Sequence, residues 1–230
     1  MTQSGFSGFK PETFAFLRDL EQNNNREWFA DNRNRYENDY LGLAFDFVSA
    51  MYEATAALNP PHKAVAKING SVRRINRDVR FSKDKSPYNA RLHLVFWTGS
   101  HPNRSPAIHL ILDPESIGFG AGQWALSVEQ IDQYRNAVSK PASRKAFLQA
   151  VERAKAVGCE MVPPELKKVP RGFEENADWS NLLRHKSIVC RTFSRIQPPD
   201  EMFTPQAVPY FANLFEELAP LNVWINKYIS

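Results

Sequence analysis

The period of the apolar positions changes three times along the chain. Behind Pro11, which a first helical turn tolerates, Phe14 with Leu17 and Phe16 with Leu20 fall at helical spacing, and a helix is predicted to stop near Asn23. Asn24 with Glu27 has the form of a capping box. Phe29, Tyr36, Tyr40, Leu43, Phe47, Met51, Ala54 and Leu58 then share one face, which predicts a single long amphipathic helix with Gly42 as its place to bend. Asn59-Pro60-Pro61 ends it, since proline cannot donate and disfavours helix in the residue before it.

From Leu92 the period is two. Leu92, Leu94 and Phe96 alternate with Arg91, His93, Val95 and Trp97; Ala107 to Leu112 and Ile117 to Gln123 follow, joined by the turn Asp113-Pro114-Glu115-Ser116. Register is fixed by whichever choice keeps apolar residues together: Leu112 opposite Ile117, Leu110 opposite Phe119, Ile108 opposite Ala121, with Leu92, Leu94 and Phe96 on the same face. The other face then carries Arg91, His93, Val95, Trp97, Ala107, His109 and Ile111 beside Gly118, Gly120 and Gly122, a strip of bare backbone. Such a strip admits either a close-packed helix or a ligand.

Helical period returns afterwards. Ser127 with Gln130 forms a capping box for a helix through Ile131, Tyr134 and Val138, and a second helix follows Pro141 through Phe147, Leu148, Val151 and Ala154. Val162 to Phe173 is predicted as loop or edge, Asp178 to Lys186 as a short helix and Ser187 to Phe193 as a short strand. Thr204-Pro205 is expected to open the last helix, with Phe211, Leu214, Phe215 and Leu218 inward. The pattern is that of one α+β domain over residues 1–230, helices packed on a mainly antiparallel sheet.

Composition adds exclusions. With 43% hydrophobic and 23% charged residues the 230-residue chain lies outside the disordered and coiled-coil classes. Cys159 and Cys190 form no CxxC, so neither a disulfide framework nor a cysteine zinc site is expected. Charges interrupt every apolar run before the ~18 residues of a membrane span, and a cytoplasmic protein without membrane contact is the expectation.

Charge is distributed unevenly. Between His62 and Arg91 nine basic residues face two acids, a local +7 in a chain of net +4. Arg73, Arg74, Arg77 and Arg80 present planar donor forks suited to phosphate or carboxylate. The run Arg74, Arg77, Asp78, Arg80, Phe81, Asp84, Lys85, Pro87, Tyr88 resembles the signature of an uncharacterised, mostly bacterial family, domain of unknown function 2461. The likeness extends to Asn23-Asn24-Asn25-Arg26-Glu27-Trp28-Phe29, to Gly120 and Gly122, and to Pro170-Arg171-Gly172-Phe173. The resemblance implies a family and no activity. Asn89 stands where relatives commonly have lysine.

The leading functional reading is an anion site for a phosphorylated or carboxylated small molecule, built from Arg74, Arg77, Arg80, Lys85, Arg91, His93, His109 and Arg171. Tyr88, Lys85 and Asp78 are the candidate proton-transfer groups, because arginine stays charged. The competing reading is an internal ion-pair network, Asp78 with Arg77 or Arg80 and Asp84 with Lys85. Nucleic-acid binding along segment 62–91, with Phe81, Tyr88 and Trp97 as stacking surfaces, is the alternative from another class, and a structural or partner-binding domain using Trp124, Trp179 and Trp224 a third. No metal is assigned: His93 and His109 share a face with Asp78 or Glu115 as conceivable third ligands, yet no HxH or HExxH spacing occurs. No cofactor is named either, since Gly120, Gly122 and Ala125 match a dinucleotide fingerprint only after a hairpin strand. Oligomeric state is left open.

Overall fold

In the computed structural model, residues 5–173 and 177–229 are described. Helix α1 (Pro11–Gln22) buries Phe14, Phe16, Leu17 and Leu20. The long helix predicted behind it is instead a broken succession: α2 (Arg26–Asp31), α3 (Arg33–Arg35), a π-helical stretch Tyr36–Gly42, α4 (Leu43–Ala50) and α5 (Tyr52–Ala57). The wider π turn carries Tyr36 and Tyr40 into one aromatic cluster, both within 6.3 Å of the Phe16 ring. The cap of α2 is Asn25, whose side chain accepts from the Trp28 amide at 2.9 Å. Asn24 is not that cap. Its carboxamide is taken up by the Tyr88 backbone, donating to the carbonyl at 3.0 Å and accepting from the amide at 3.1 Å.

Five antiparallel strands form one sheet in the order β1-β2-β3-β5-β4: β1 (Leu92–Trp97), β2 (Ala107–Asp113), β3 (Ser116–Gln123), β4 (Glu160–Met161) and β5 (Ile188–Arg191). The register is the predicted one, Leu112 on Ile117, Leu110 on Phe119 and Ile108 on Ala121, with Leu92, Leu94 and Phe96 facing the same way. All nine are buried. They meet helices α1, α4 and α8 (Ala207–Tyr228) on that side, and α6 (Val128–Ser139) and α7 (Pro141–Ala156) pack beside α8. Ser127 and Gln130 make the expected capping box at α6. Helix α8 begins three residues after Thr204, which ends a 3-10 turn and accepts from the Gln206 amide at 3.2 Å. The chain is one α+β domain.

The opposite sheet face is covered unevenly. Chain segment 63–73 runs along β1, pairing Val72 with Leu94, and Val65 covers Val95, Trp97 and Ala107. Towards the other end of the strands the face is open, and there His93, His109, Gly118 and Gly120 line a cavity.

Candidate functional site

Segment 75–89 closes on itself: the Asn89 amide donates to the Ile75 carbonyl at 2.7 Å and the Arg77 amide to the Pro87 carbonyl at 2.9 Å. Asn24 then pins Tyr88 from outside, and the Tyr88 ring stacks on Phe29 at 4.1 Å. Within the loop Arg80 grips Asp78 through two bonds, at 3.0 and 2.7 Å, and Arg77 pairs with Asp84. Asp84 also accepts from the Ser86 hydroxyl and amide, which with Arg77 hold its carboxyl below the usual carboxylate range. Lys85 donates to the Val79 carbonyl at 3.0 Å, so the expected Asp84–Lys85 pair is replaced by Asp84–Arg77.

One cavity borders this loop and shares residues with a second on the sheet face. The first, outer one of about 610 Å3 is lined by Arg77, Asp84, Tyr88, Asn89, Arg91, Asp113, Ser116 and Arg195 together with Glu21 and Glu115. An inner one of about 340 Å3 lies on the open sheet face between His93, His109, Gly118, Gly120, Trp124, Arg191 and Phe193. Arg91, Asp113, Ser116 and Arg195 line both, which makes one cleft with two chambers. The outer chamber sets three arginines against four carboxylates, whereas the inner one sets Arg91, Arg191 and Arg195 against Asp113 alone. The inner chamber therefore carries the positive excess.

Sequence-predicted site residues divide accordingly. Arg77, Arg91, His93, His109 and Tyr88 come together along the cleft. Arg74, Asp78, Arg80, Lys85 and Arg171 line neither chamber. Arg74, Asp78 and Arg80 are on the exposed side of the loop, and Arg171 is exposed beside Gly172, whose φ of +89° makes the turn, while Phe173 packs against the core. The spacing of three that drew attention to Arg74, Arg77 and Arg80 does not gather them, because the segment is irregular chain and not a helix.

Three residues that matter were not among those predicted. Asp113 shares the face of His109 and Ile111 by the period-two rule, a signal present in the sequence and masked by its reading as a turn residue. Burial raises its carboxyl pKa, and the nearby Arg91 and Arg195 lower it; burial prevails. Arg195 arrives through a bridge between Ile117 and Ile196, the Ile117 amide donating at 2.8 Å, and nothing local in the sequence announces that contact. Among the described residues the guanidiniums of Arg91 and Arg195 have no hydrogen bond and no ion pair within 4.0 Å. Arg191 follows from strand alternation on β5, and its guanidinium lies 4.6 Å from the Phe193 ring centre.

On the chamber floor His93 Nε2 and His109 Nδ1 are 2.9 Å apart. Such a contact needs one ring to donate and the other to accept, and both are neutral near pH 7: burial, with His109 and Arg73 beside it, brings His93 down to about 3, and burial with Arg73 brings His109 down to about 4. The histidines bond each other, and among the described residues no group of three or more His, Cys, Asp or Glu converges to hold a metal.

Among the described residues no helix packs on the glycine strip; the close approach it permits is that of a neighbouring strand. A methyl on Gly120 would lie 2.4 Å from the Cys190 carbonyl oxygen and one on Gly122 1.9 Å from that of Ile188, so the glycines let strand β5 approach β3. The bare backbone left at Gly118 and Gly120 forms part of the inner chamber wall.

The family described as conserved hypothetical protein, DUF2461, matches residues 12–224. The chain belongs to the DUF2461 family. No curated protein and no solved structure matches it. The family match spans both chambers and the Arg74 to Tyr88 motif, in agreement with the resemblance carried by that motif.

Proposed function

We propose that this DUF2461 protein binds a small oxyanion-bearing molecule, phosphorylated or carboxylated, in the inner chamber of the cleft. The observation that carries this reading is the pair of guanidiniums, Arg91 and Arg195, that border the chamber without a carboxylate partner within 4.0 Å. Like charges held near one another in a partly enclosed space favour an incoming anion, and the volume of about 340 Å3 is that of a small-ligand site. Asp113 is the group positioned to exchange a proton with the ligand, its carboxyl already raised by burial. Arg77 serves chiefly to hold its loop through Asp84. We read the protein as cytoplasmic on the strength of two buried, unpaired thiols, Cys159 and Cys190, and no helix among the described residues is long and apolar enough to cross a membrane.

A thermal-shift panel of phosphate, succinate, ribose 5-phosphate and a short oligonucleotide at moderate salt tests the reading. A ligand at a hundred times its Kd adds about 2.7 kcal/mol, worth roughly 5–11 °C at about 2–4 °C per kcal/mol for this chain length. The shift is expected to vanish in Arg91→Ala and Arg195→Ala and to persist in Arg74→Ala and Arg80→Ala. Small anions that leave melting unchanged, or a shift indifferent to Arg91 and Arg195, would refute it. The second reading, single-stranded nucleic acid on the basic loop, is favoured by Phe81, 95% exposed at the loop tip beside Arg80. Oligonucleotide binding that falls steeply with salt and is lost in Phe81→Ala would select it.

A further inference from the structure

Trp124 is 50% exposed, and among the described residues its side chain has no hydrogen bond, ring contact or cation contact. An indole offers a large apolar face that folding normally hides, and an exposed one on the wall of a cavity marks a binding surface. Trp179 and Trp224 differ in this respect: the first lies under Arg144 at 4.3 Å, the second is buried and donates to the Ser143 carbonyl.

Position along β3 says what the ring could meet. The arginine end of the chamber is at Ser116, opposite Asp113, and Trp124 follows the last residue of the same strand. Eight steps at ~3.3 Å put roughly 26 Å of strand between them. The long side chains of Arg195 and Trp124 both border the chamber and bridge part of that span. Inorganic phosphate or a small dicarboxylate cannot touch both ends. Between them the wall is flat backbone at Gly118 and Gly120. The histidine pair spends one donor and one acceptor on itself and keeps one of each, suited to hydroxyl groups. Ala125, at φ 52°, fixes the path of the chain just after the indole.

Resting on the oxyanion reading of Arg91 and Arg195, we propose that the ligand is elongated and ends in a flat heteroaromatic ring that stacks on Trp124, with hydroxyls in the middle and the oxyanion at the arginines. That is the chemistry of a nucleoside monophosphate.

Calorimetric titration with adenosine 5′-monophosphate, uridine 5′-monophosphate and ribose 5-phosphate separates the two layers. The ring-bearing compounds are expected to bind at least about tenfold tighter than ribose 5-phosphate, the gain one stacked face supplies. Trp124→Ala should erase that difference while leaving ribose 5-phosphate within about twofold of wild type, and Trp124→Phe should keep most of it. If all three compounds bind equally, or the difference survives Trp124→Ala, the ring assignment is wrong and the oxyanion site stands. If none of the three binds, the ring assignment and the phosphorylated form of the oxyanion reading both fall.

Discussion

Buried His62 and half-buried His93 and His109, with buried His185 lowered in the same direction, make the stability of this protein steeply dependent on acid. His62 is 2% exposed; its Nδ1 lies 2.8 Å from the Pro60 carbonyl and its Nε2 2.9 Å from the Asn222 amide nitrogen. The neutral tautomer with the proton on Nδ1 satisfies both contacts. Burial brings this ring to about 4, His93 to about 3 and His109 to about 4, each well below the ordinary histidine value of 6.5. A histidine whose folded pKa lies below its unfolded value contributes fully above about pH 6.5 and loses that contribution as pH falls towards the folded value. At pH 5 the unfolded chain gains about 1.5 pH units of protonation per histidine over the fold, roughly 2 kcal/mol each at 1.36 kcal/mol per unit.

Partial solvent contact at His93 and His109 reduces the total to about 4–6 kcal/mol, comparable with the whole stability of an ordinary domain. Asp113, raised by burial, works in the opposite sense and stabilises slightly as it protonates. Urea unfolding at pH 7.5 and pH 5.0 measures the difference directly by linear extrapolation. The wild type is expected to lose several kcal/mol between the two, and His62→Gln and His109→Gln each to shorten that fall by about 2 kcal/mol whatever they do to stability at pH 7.5. A wild-type fall under about 1 kcal/mol, or variants that fall as far as the wild type, would refute the argument that these rings are held neutral.

Two further outcomes test the packing around the site. Gly122→Ala places a methyl 1.9 Å from the Ile188 carbonyl oxygen at a φ of +129°, and strain plus overpacking of about 3 kcal/mol should lower Tm by roughly 6–12 °C; Gly158→Ala, with nothing within 4 Å, is the control, and equal losses in the two would sink the close approach of β5. Asn24→Ala removes both bonds to the Tyr88 backbone and should cost about 2 kcal/mol, with faster amide exchange at Tyr88 and Arg77; exchange rates unchanged from wild type would show that the loop is pinned by something else.

How far the sequence carries depends on whether a residue's partner is local. Strand register was legible because a slip of one would have turned nine apolar side chains to the wrong face, and no competing choice existed. The breaks in the long helix were not legible, since the apolar spacing from Tyr36 to Met51 fits an α-helix as well as a succession containing a π turn. Asn24 and Asn25 are chemically identical caps. Which of them caps α2 is decided by Tyr88, 64 residues away, and that contact exists only in the fold. In the same way Arg91, His93 and His109 could be assigned to one face by alternation, while Arg195 reaches the cleft only because Ile196 pairs with Ile117.

The density of arginine in one segment is a guide to family membership more than to chemistry. Arg80 and Arg77 lie two and seven residues from the carboxylates that neutralise them, Asp78 and Asp84, so the motif carries its own counter-charges and is consumed in shaping its loop. Arg91 and Arg195, which like Arg74 and Arg191 have no side-chain hydrogen bond or ion pair among the described residues, stand 104 positions apart and have no acid within four residues of either in sequence. Arg91 and Arg195 both act electrostatically on Asp113, whose carboxyl pKa nonetheless stays raised. A cation that the fold leaves without an ion pair beside a cavity is a stronger sign of a ligand than a cation that the sequence repeats, because an incoming anion meets no competing salt bridge at the first and the second is answered within its own loop.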